Sequence, residues 1–139
     1  MRILAIDHGA KRIGIAISDL SGTIANPLTV LMHVSRPVDA AMIAGLAREH
    51  EAGLIVVGQS FDEQGEPTLE GRRSARLAAA IRVQTGLKVE LWDESDTTQA
   101  ARAARLAIGS PRKKRRGHVD DLAATVLLQS YLDAHVHNQ

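Results

Sequence analysis

Asp7 closes the apolar run Arg2-Ile3-Leu4-Ala5-Ile6 and is followed by the polar stretch His8-Gly9-Ala10-Lys11-Arg12 before a second apolar run, Ile13-Gly14-Ile15-Ala16-Ile17. A carboxylate at the inner end of a buried strand loses hydration that only hydrogen bonds, a cation or a metal ion can replace. Two more acidic groups stand at the ends of elements: Asp93-Glu94 after the strand-like Lys88-Val89-Glu90-Leu91-Trp92, and Asp120-Asp121 at the start of the last helical run. If the strands ending in Asp7 and in Asp93-Glu94 run parallel, their C-terminal ends share the edge at which open α/β sheets place their ligands. Carboxylates converging there repel one another unless a divalent cation lies between them, and hard oxygen donors select Mg²⁺ or Mn²⁺. Such clusters build metal-assisted phosphoryl-transfer sites. Each group also has a structural reading. Asp7 can cap its own turn, Asp93 can simply end a strand, and Asp120 and Asp121 suit the positive end of a helix dipole.

The run Arg112-Lys113-Lys114-Arg115-Arg116 directly precedes the last acidic pair. Blocks of like charge are ordinarily solvated loops, but beside a carboxylate cluster five cations would hold a phosphodiester backbone that the carboxylates alone would reject. The formal net charge of +1 conceals an asymmetry, because residues 1–70 hold 5 Lys/Arg against 9 Asp/Glu and residues 71–139 hold 12 against 7. The cationic second part could therefore face a polyanion. Among the histidines, His8 lies next to Asp7 and could approach the same site. His33, His50, His118, His135 and His137 show no ligand-like spacing beyond a weak His135/His137 pair. With no cysteine, disulfides, thiolate catalysis and Cys-containing zinc sites are excluded. Phe61, Trp92 and Tyr131 are the whole aromatic complement, so base stacking on an aromatic platform is disfavoured. The first apolar run is too short for a signal peptide and no run approaches bilayer length, which predicts a cytoplasmic protein with no membrane partner.

The elements that must position these groups follow from periodicity. The two Ile-rich runs predict a β-hairpin, and Thr23 to Leu31, interrupted by Pro27, predicts a third strand at a sheet edge. Val38 to His50 has helical spacing with Val38, Met42, Ile43, Leu46 and Ala47 inward, which leaves Asp39 on the exposed side. Gly53 to Gly58 is a wholly apolar run, the pattern of a central strand covered on both faces. Gln59 to Pro67 reads as a loop. Arg72 to Gln84 reads as a helix with Ala75, Leu77, Ala78, Ala79 and Ile81 inward, ended by Gly86. After the strand at Lys88 to Trp92, Asp96-Thr97-Thr98-Gln99 has the form of a capping box for a helix to about Leu106. Val119 to Tyr131 or a little beyond is the last helix, with Leu122, Ala123, Val126, Leu127 and Leu132 inward. Hairpins followed by βαβ units predict one α/β domain over residues 1–139, with a mixed five-stranded sheet and helices on both faces.

The motifs together resemble a known family. Asp7-His8-Gly9-Ala10-Lys11-Arg12-Ile13-Gly14 is similar to the opening Asp-x-Gly-x-Lys-Arg-Ile-Gly pattern of the bacterial YqgF/RuvX family. Trp92-Asp93-Glu94-Ser95 with Thr97-Thr98 is similar to its Asp-Glu-Arg-x-Thr-Thr motif, and Val119-Asp120-Asp121-Leu122-Ala123-Ala124 to its closing Asp-x-x-Ala-Ala helix. The resemblance spans essentially the whole chain. It implies a ribonuclease H-like fold and a metal-dependent nuclease, associated with maturation of the 16S ribosomal RNA precursor and with Holliday junction resolution. It implies Asp7, Glu94 and Asp120 as catalytic metal ligands, with Asp93 and Asp121 in reserve, Mg²⁺ or Mn²⁺ as cofactor, and Lys11, Arg12 and the 112–116 run on nucleic acid, either an rRNA precursor or branched DNA. Monomer and homodimer are both compatible. Ser95 stands where the family has Arg, which removes a bidentate phosphate clamp, and Gly58-Gln59-Ser60 replaces a common Gly-Leu-Pro. Two other classes share parts of the pattern. ATP-binding proteins of the actin and sugar-kinase kind also follow the first strand with Asp-x-Gly, although this chain has room for only one of their two lobes. A non-catalytic nucleic-acid-binding module would keep the basic run and tolerate loss of the carboxylates.

The basic run generates a direct test. Replacing Lys113, Lys114, Arg115 and Arg116 by Ala should weaken nucleic-acid binding and make the slope of log affinity against log salt shallower, by up to about 0.9 for each duplex-DNA phosphate that is no longer neutralised. An unchanged slope would reduce the run to a solvated loop.

Overall fold

The computed structural model describes residues 1–96 and 119–136. Strand β1 (Arg2–His8) turns into β2 (Arg12–Ser18), which pairs with β3 (Ala25–Met32). Helix α1 (Arg36–Glu49), strand β4 (Ala52–Gln59), helix α2 (Leu69–Thr85) and strand β5 (Lys88–Asp93) follow, then a 3-10 turn (Glu94–Asp96) and, after the undescribed segment, helix α3 (Val119–Val136). The five strands form one sheet in the order β3-β2-β1-β4-β5. The β1/β2 and β2/β3 pairs are antiparallel, whereas β1/β4 and β4/β5 are parallel. This is the predicted mixed sheet, and β3 lies at its edge as Pro27 requires, with the register slipping between Ile15 and Ala16 opposite that proline.

Alternation along the strands splits the core in two. Leu4 and Ile6 of β1, Ile13 and Ile15 of β2, Ile55 and Val57 of β4 and Val89 of β5 pack beneath α1 and α2, against Ala40, Ile43, Ala47, Leu77, Ala78 and Ile81. Ile3, Ala5, Ala16, Leu54 and Val56 meet Ala124, Leu127, Leu128, Tyr131 and Leu132 of α3 on the opposite face. Each fully buried Leu, Ile or Val contributes about 1.5–3 kcal/mol by leaving water. Polar contacts set the azimuth of α3: the Trp92 indole N–H donates to Ser130 Oγ at 3.1 Å, and the Tyr131 hydroxyl donates to the Glu90 carboxylate. Gly86 ends α2 in the left-handed conformation, φ 70°, as its position in the sequence indicates.

Three helical phases differ from expectation. Helix α1 buries Asp39, Ala40, Ile43, Ala44 and Ala47, while Val38 is 41 % exposed. Asp39 is not a surface residue: its side chain is 1 % exposed, Oδ1 accepts the Val34 N–H at 2.9 Å and Oδ2 meets His33 Nδ1 at 2.5 Å. Hydrophobic spacing alone rotates the helix because it treats every carboxylate as outward. Ala79 of α2 and Ala123 of α3 are exposed rather than inward, since alanine is small enough to carry little phase information. The capping-box helix over 97–106 lies outside the described residues.

Helix α2 begins earlier than its apolar pattern, at Leu69, because Thr68 caps it by accepting the Gly71 N–H at 3.0 Å. The Gln59 amide donates to Gly71 O at 3.1 Å, and Ser60 and Thr68 hydroxyls meet at 2.5 Å. The residues that replace the family's Gly-Leu-Pro thus knit the end of β4 to the start of α2. A Cβ on Gly71 would lie 2.2 Å from the backbone oxygen of Ser60. Alanine is ordinarily worth up to about 1 kcal/mol over glycine inside a helix, yet here the clash is with backbone and must win, at roughly 1–3 kcal/mol. Urea unfolding of Gly71→Ala should therefore report a loss of stability; a gain would show that the two segments are not closely apposed.

Candidate active site

Because β1, β4 and β5 are mutually parallel, their C-terminal ends meet along one edge, with Ile6 beside Val57, Gly58 beside Trp92 and Gln59 beside Asp93. Asp7 follows Ala5 in the alternation and faces α3. From the end of β5, Glu94 turns back over the same face and shares a hydrogen bond with Asp7. Its carboxyl is pushed up to about 7, first by burial, then by the Asp7 charge and that hydrogen bond, and further by the charges of Asp93 and Glu70. Space for this arrangement comes from β4. A Cβ on Gly58 would stand 2.8 Å from Glu94 Oε1, 2.9 Å from Glu94 Cγ and 2.9 Å from Leu127 Cδ2. Glycine at the end of the central strand is the gap that Glu94 fills.

The remaining acidic residues divide. Asp93 Oδ1 accepts both the Ser95 N–H at 2.9 Å and the Ser95 hydroxyl at 2.6 Å, so it shapes the 3-10 turn that carries Glu94. Ser95, which replaces the family Arg, supplies that contact. Helix α3 places Leu127 beside Gly58 and its C-terminal part near Met1 and Ser21 at the opposite end of the sheet; its first turn, with Asp120 and Asp121, is therefore directed toward the Asp7 edge. The side chains of Asp120 and Asp121 lie outside the described residues, as do Arg112 to Arg116. Lys11 and Arg12 are exposed at the β1/β2 turn, on the same edge.

Sequence reasoning does not single out Glu70. It lies in the first turn of α2, accepts from Arg73 at 2.9 Å, and its Oε2 is buried with no hydrogen-bond partner among the described residues. Its charge reaches both Glu94 and His8. The available signal is its place, immediately after the loop that leaves β4 at the edge where β1, β4 and β5 end. The histidines also depart from expectation. His8 follows Ile6 onto the α1/α2 face, so it points away from the Asp7–Glu94 pair. There it meets His33, with ring centroids 5.9 Å apart and planes at 87°. Burial holds its imidazole below the usual value, with the Glu70 and Asp39 carboxylates opposing the effect and His33 and Arg73 adding to it.

A five-stranded sheet in this order, with carboxylates at the ends of β1 and β5 and a helix opposite α1 and α2, is the ribonuclease H-like fold. The structure superimposes on Thermus thermophilus RuvC bound to a Holliday junction with a TM-score of 0.68, covering 99 % of this chain and 96 % of that one at 14 % identity. On the fowlpox virus resolvase the TM-score is 0.60, with 98 % and 99 % coverage at 12 % identity. The sequence profile of the family described as "RuvX: Holliday junction resolvase" matches residues 1–134, and the chain belongs to that family and is a nuclease. Among its relatives, a protein of Syntrophus aciditrophicus is 40 % identical over 134 residues, 96 % of this chain and 89 % of its own length. One of Thermoanaerobacter pseudethanolicus is 38 % identical over 135 residues, 96 % and 97 % of the two lengths. Both carry the name "Putative pre-16S rRNA nuclease".

The raised Glu94 carboxyl has a thermodynamic consequence with a definite sign. Between its ordinary value near 4.5 and about 7 the folded chain holds a proton that the unfolded chain has released. Metal-free stability must therefore fall as pH rises through that window. Glu94→Gln, which cannot ionise, should be more stable than the parent at pH 8 in the presence of a chelator, with the gap closing below pH 5. Parallel stability curves for the two proteins would mean that Glu94 is not forced against Asp7.

Proposed function

We propose that residues 1–139 form a single divalent-metal-dependent phosphodiesterase domain that acts in the cytoplasm on the 5′ end of the 16S rRNA precursor. The observation that carries this reading is the Asp7–Glu94 pair: two carboxyl groups are in hydrogen-bond contact at the edge where parallel strands end. A fold gains nothing in stability from such a pair, whereas a shared cation turns the repulsion into attraction. The donor set fits Mg²⁺ or Mn²⁺, being hard carboxylate oxygen throughout, and Gly58 leaves the space in which Glu94 reaches Asp7. The residues that would hold the ion are Asp7, Glu94 and Asp120, with Asp93 and Asp121 in reserve. When bound, the ion supplies charge stabilisation at the phosphorus and a water acidic enough to attack it.

The chain's own residues do the rest. Glu94 would give up its proton on holding the ion beside Asp7, which would couple affinity to pH. Asp93, through Ser95, holds the turn that aims Glu94. Lys11, Arg12 and the 112–116 run lay the phosphodiester backbone along the edge, in place of the missing family Arg. No aromatic platform is called for, since the backbone rather than the bases is gripped. Among the described residues no helix is long and apolar enough to cross a membrane. Branched DNA is the second substrate reading, favoured by the family description as a Holliday junction resolvase.

Cleavage of a precursor-rRNA leader and of a four-way junction, each with Mg²⁺ and with Mn²⁺, separates the two substrates. Asp7→Asn should abolish cleavage of whichever is cut while leaving the circular dichroism spectrum unchanged. In parallel, Mn²⁺ at about 100 times its dissociation constant should stabilise the native chain by roughly 2.7 kcal/mol, a shift of several degrees in Tm. Asp7→Asn should shrink that shift, and Glu63→Gln in the exposed loop after β4 should not. Turnover by folded Asp7→Asn, or equal shifts in all three proteins, would refute the metal-nuclease reading.

A further inference from the structure

Directly behind the acidic edge, on the α1/α2 face of the sheet, a second cluster of ligand-type atoms is assembled. One atom each from His8, His33 and Asp39 lies within 4.8 Å of the others. The three come from different elements: His8 ends β1, His33 follows β3, and Asp39 is in the first turn of α1. Two of them are held from behind. The His33 backbone N–H donates to Lys11 O at 2.9 Å, and Asp39 Oδ1 accepts the Val34 N–H at 2.9 Å, leaving Oδ2 toward the cluster. The three border a cavity of about 350 Å³ also lined by Ser35, Arg36, Arg73 and Arg76.

A simple anchoring role accounts for part of this: the His33–Asp39 contact at 2.5 Å could fix the start of α1. It leaves His8 unexplained. Its Nδ1 is buried without a hydrogen-bond partner among the described residues, an arrangement that ordinarily destabilises a fold. A ligand that takes a lone pair from each imidazole and one from the carboxylate removes that deficit. We propose that His8, His33 and Asp39 bind a Zn²⁺ ion, at a site separate from the Asp7–Glu94 edge. Two imidazole nitrogens and one carboxylate oxygen suit a borderline cation such as Zn²⁺ rather than Mg²⁺. Three protein ligands leave a fourth position, which opens on the cavity, where Arg36 and Arg76 would favour water or an anionic oxygen as the last ligand. Tetrahedral Zn²⁺ separates adjacent ligand atoms by about 3.3 Å. The His33 Nδ1 to Asp39 Oδ2 gap must therefore widen by several tenths of an ångström, which the 36 % exposed His33 side chain can accommodate. Adjacent residues of β1 thus serve two ions of different chemistry, Asp7 with oxygen donors on one face and His8 with nitrogen on the other.

The test uses the full chain carrying Asp7→Asn, so that the acidic edge is disabled, with Mg²⁺ in excess. Calorimetric titration with Zn²⁺ should show one equivalent bound, and Co²⁺ in its place should give the intense visible absorption of a tetrahedral site. Adding His33→Ala should weaken Zn²⁺ at least tenfold and abolish the Co²⁺ bands, with His8→Asn acting alike. Melting in chelator would establish that each variant is folded. Unchanged Zn²⁺ affinity in both histidine variants, or loss of Zn²⁺ binding through Asp7→Asn alone, would overturn the proposal. Because neither readout depends on cleavage, its failure is distinguishable from failure of the nuclease assignment.

Discussion

Two acidic side chains, Asp7 and Glu94, brought into contact in a partly buried place are the constraint around which this chain is built. Asp7 and Glu94 reach one another only because β1, β4 and β5 run parallel and end together, because Gly58 offers no side chain at the point where Glu94 must pass, and because Ser95 bends the chain back through Asp93. The apolar strands and their covering helices supply the stability that such a pair withdraws. The sheet is a frame that holds these two acidic groups together.

The period of two along a strand has an unusual consequence at the end of β1. Asp7 and His8 are neighbours in sequence but lie on opposite faces, one beneath α3 and the other beneath α1 and α2. Glu70 stands at the seam, its charge felt by Glu94 and by His8. Its position depends on the loop from Ser60 to Thr68, which is tied to α2 by the Gln59 amide and by the close approach of Gly71 to Ser60. A departure from the family pattern at Gln59-Ser60 is thereby connected to the placement of an acidic group at the edge.

The elements are legible where their periodicity is strong. The hairpin, the edge strand with Pro27, the central strand and the Gly86 stop all follow from local chemistry. Helical phase is less legible. Apolar spacing places Val38 inward and Asp39 outward, and the molecule does the reverse because the Val34 N–H and the His33 ring together replace the water that Asp39 gives up. A partner five or six residues away, across a helix N-terminus, leaves no periodic trace. Ala79 and Ala123 are exposed against expectation for another reason, since alanine is compatible with either side of a helix.

By itself, the sequence determined which residues carry charge, where each strand stops, and that Asp7, Asp93-Glu94 and Asp120-Asp121 terminate elements: these are properties of types and spacing along the chain. Only the tertiary structure decided which of them meet. Parallel pairing of β1 with β4 and β4 with β5 brought Glu94 to Asp7 across more than eighty intervening residues, and antiparallel pairing of β1 with β2 and β2 with β3 brought His33, with Asp39 of α1, to His8 on the other face. Contacts of that separation are written in no local pattern. They depend on the burial of two apolar faces at once, which fixes strand order and register and, through them, the positions of every polar group at the edge.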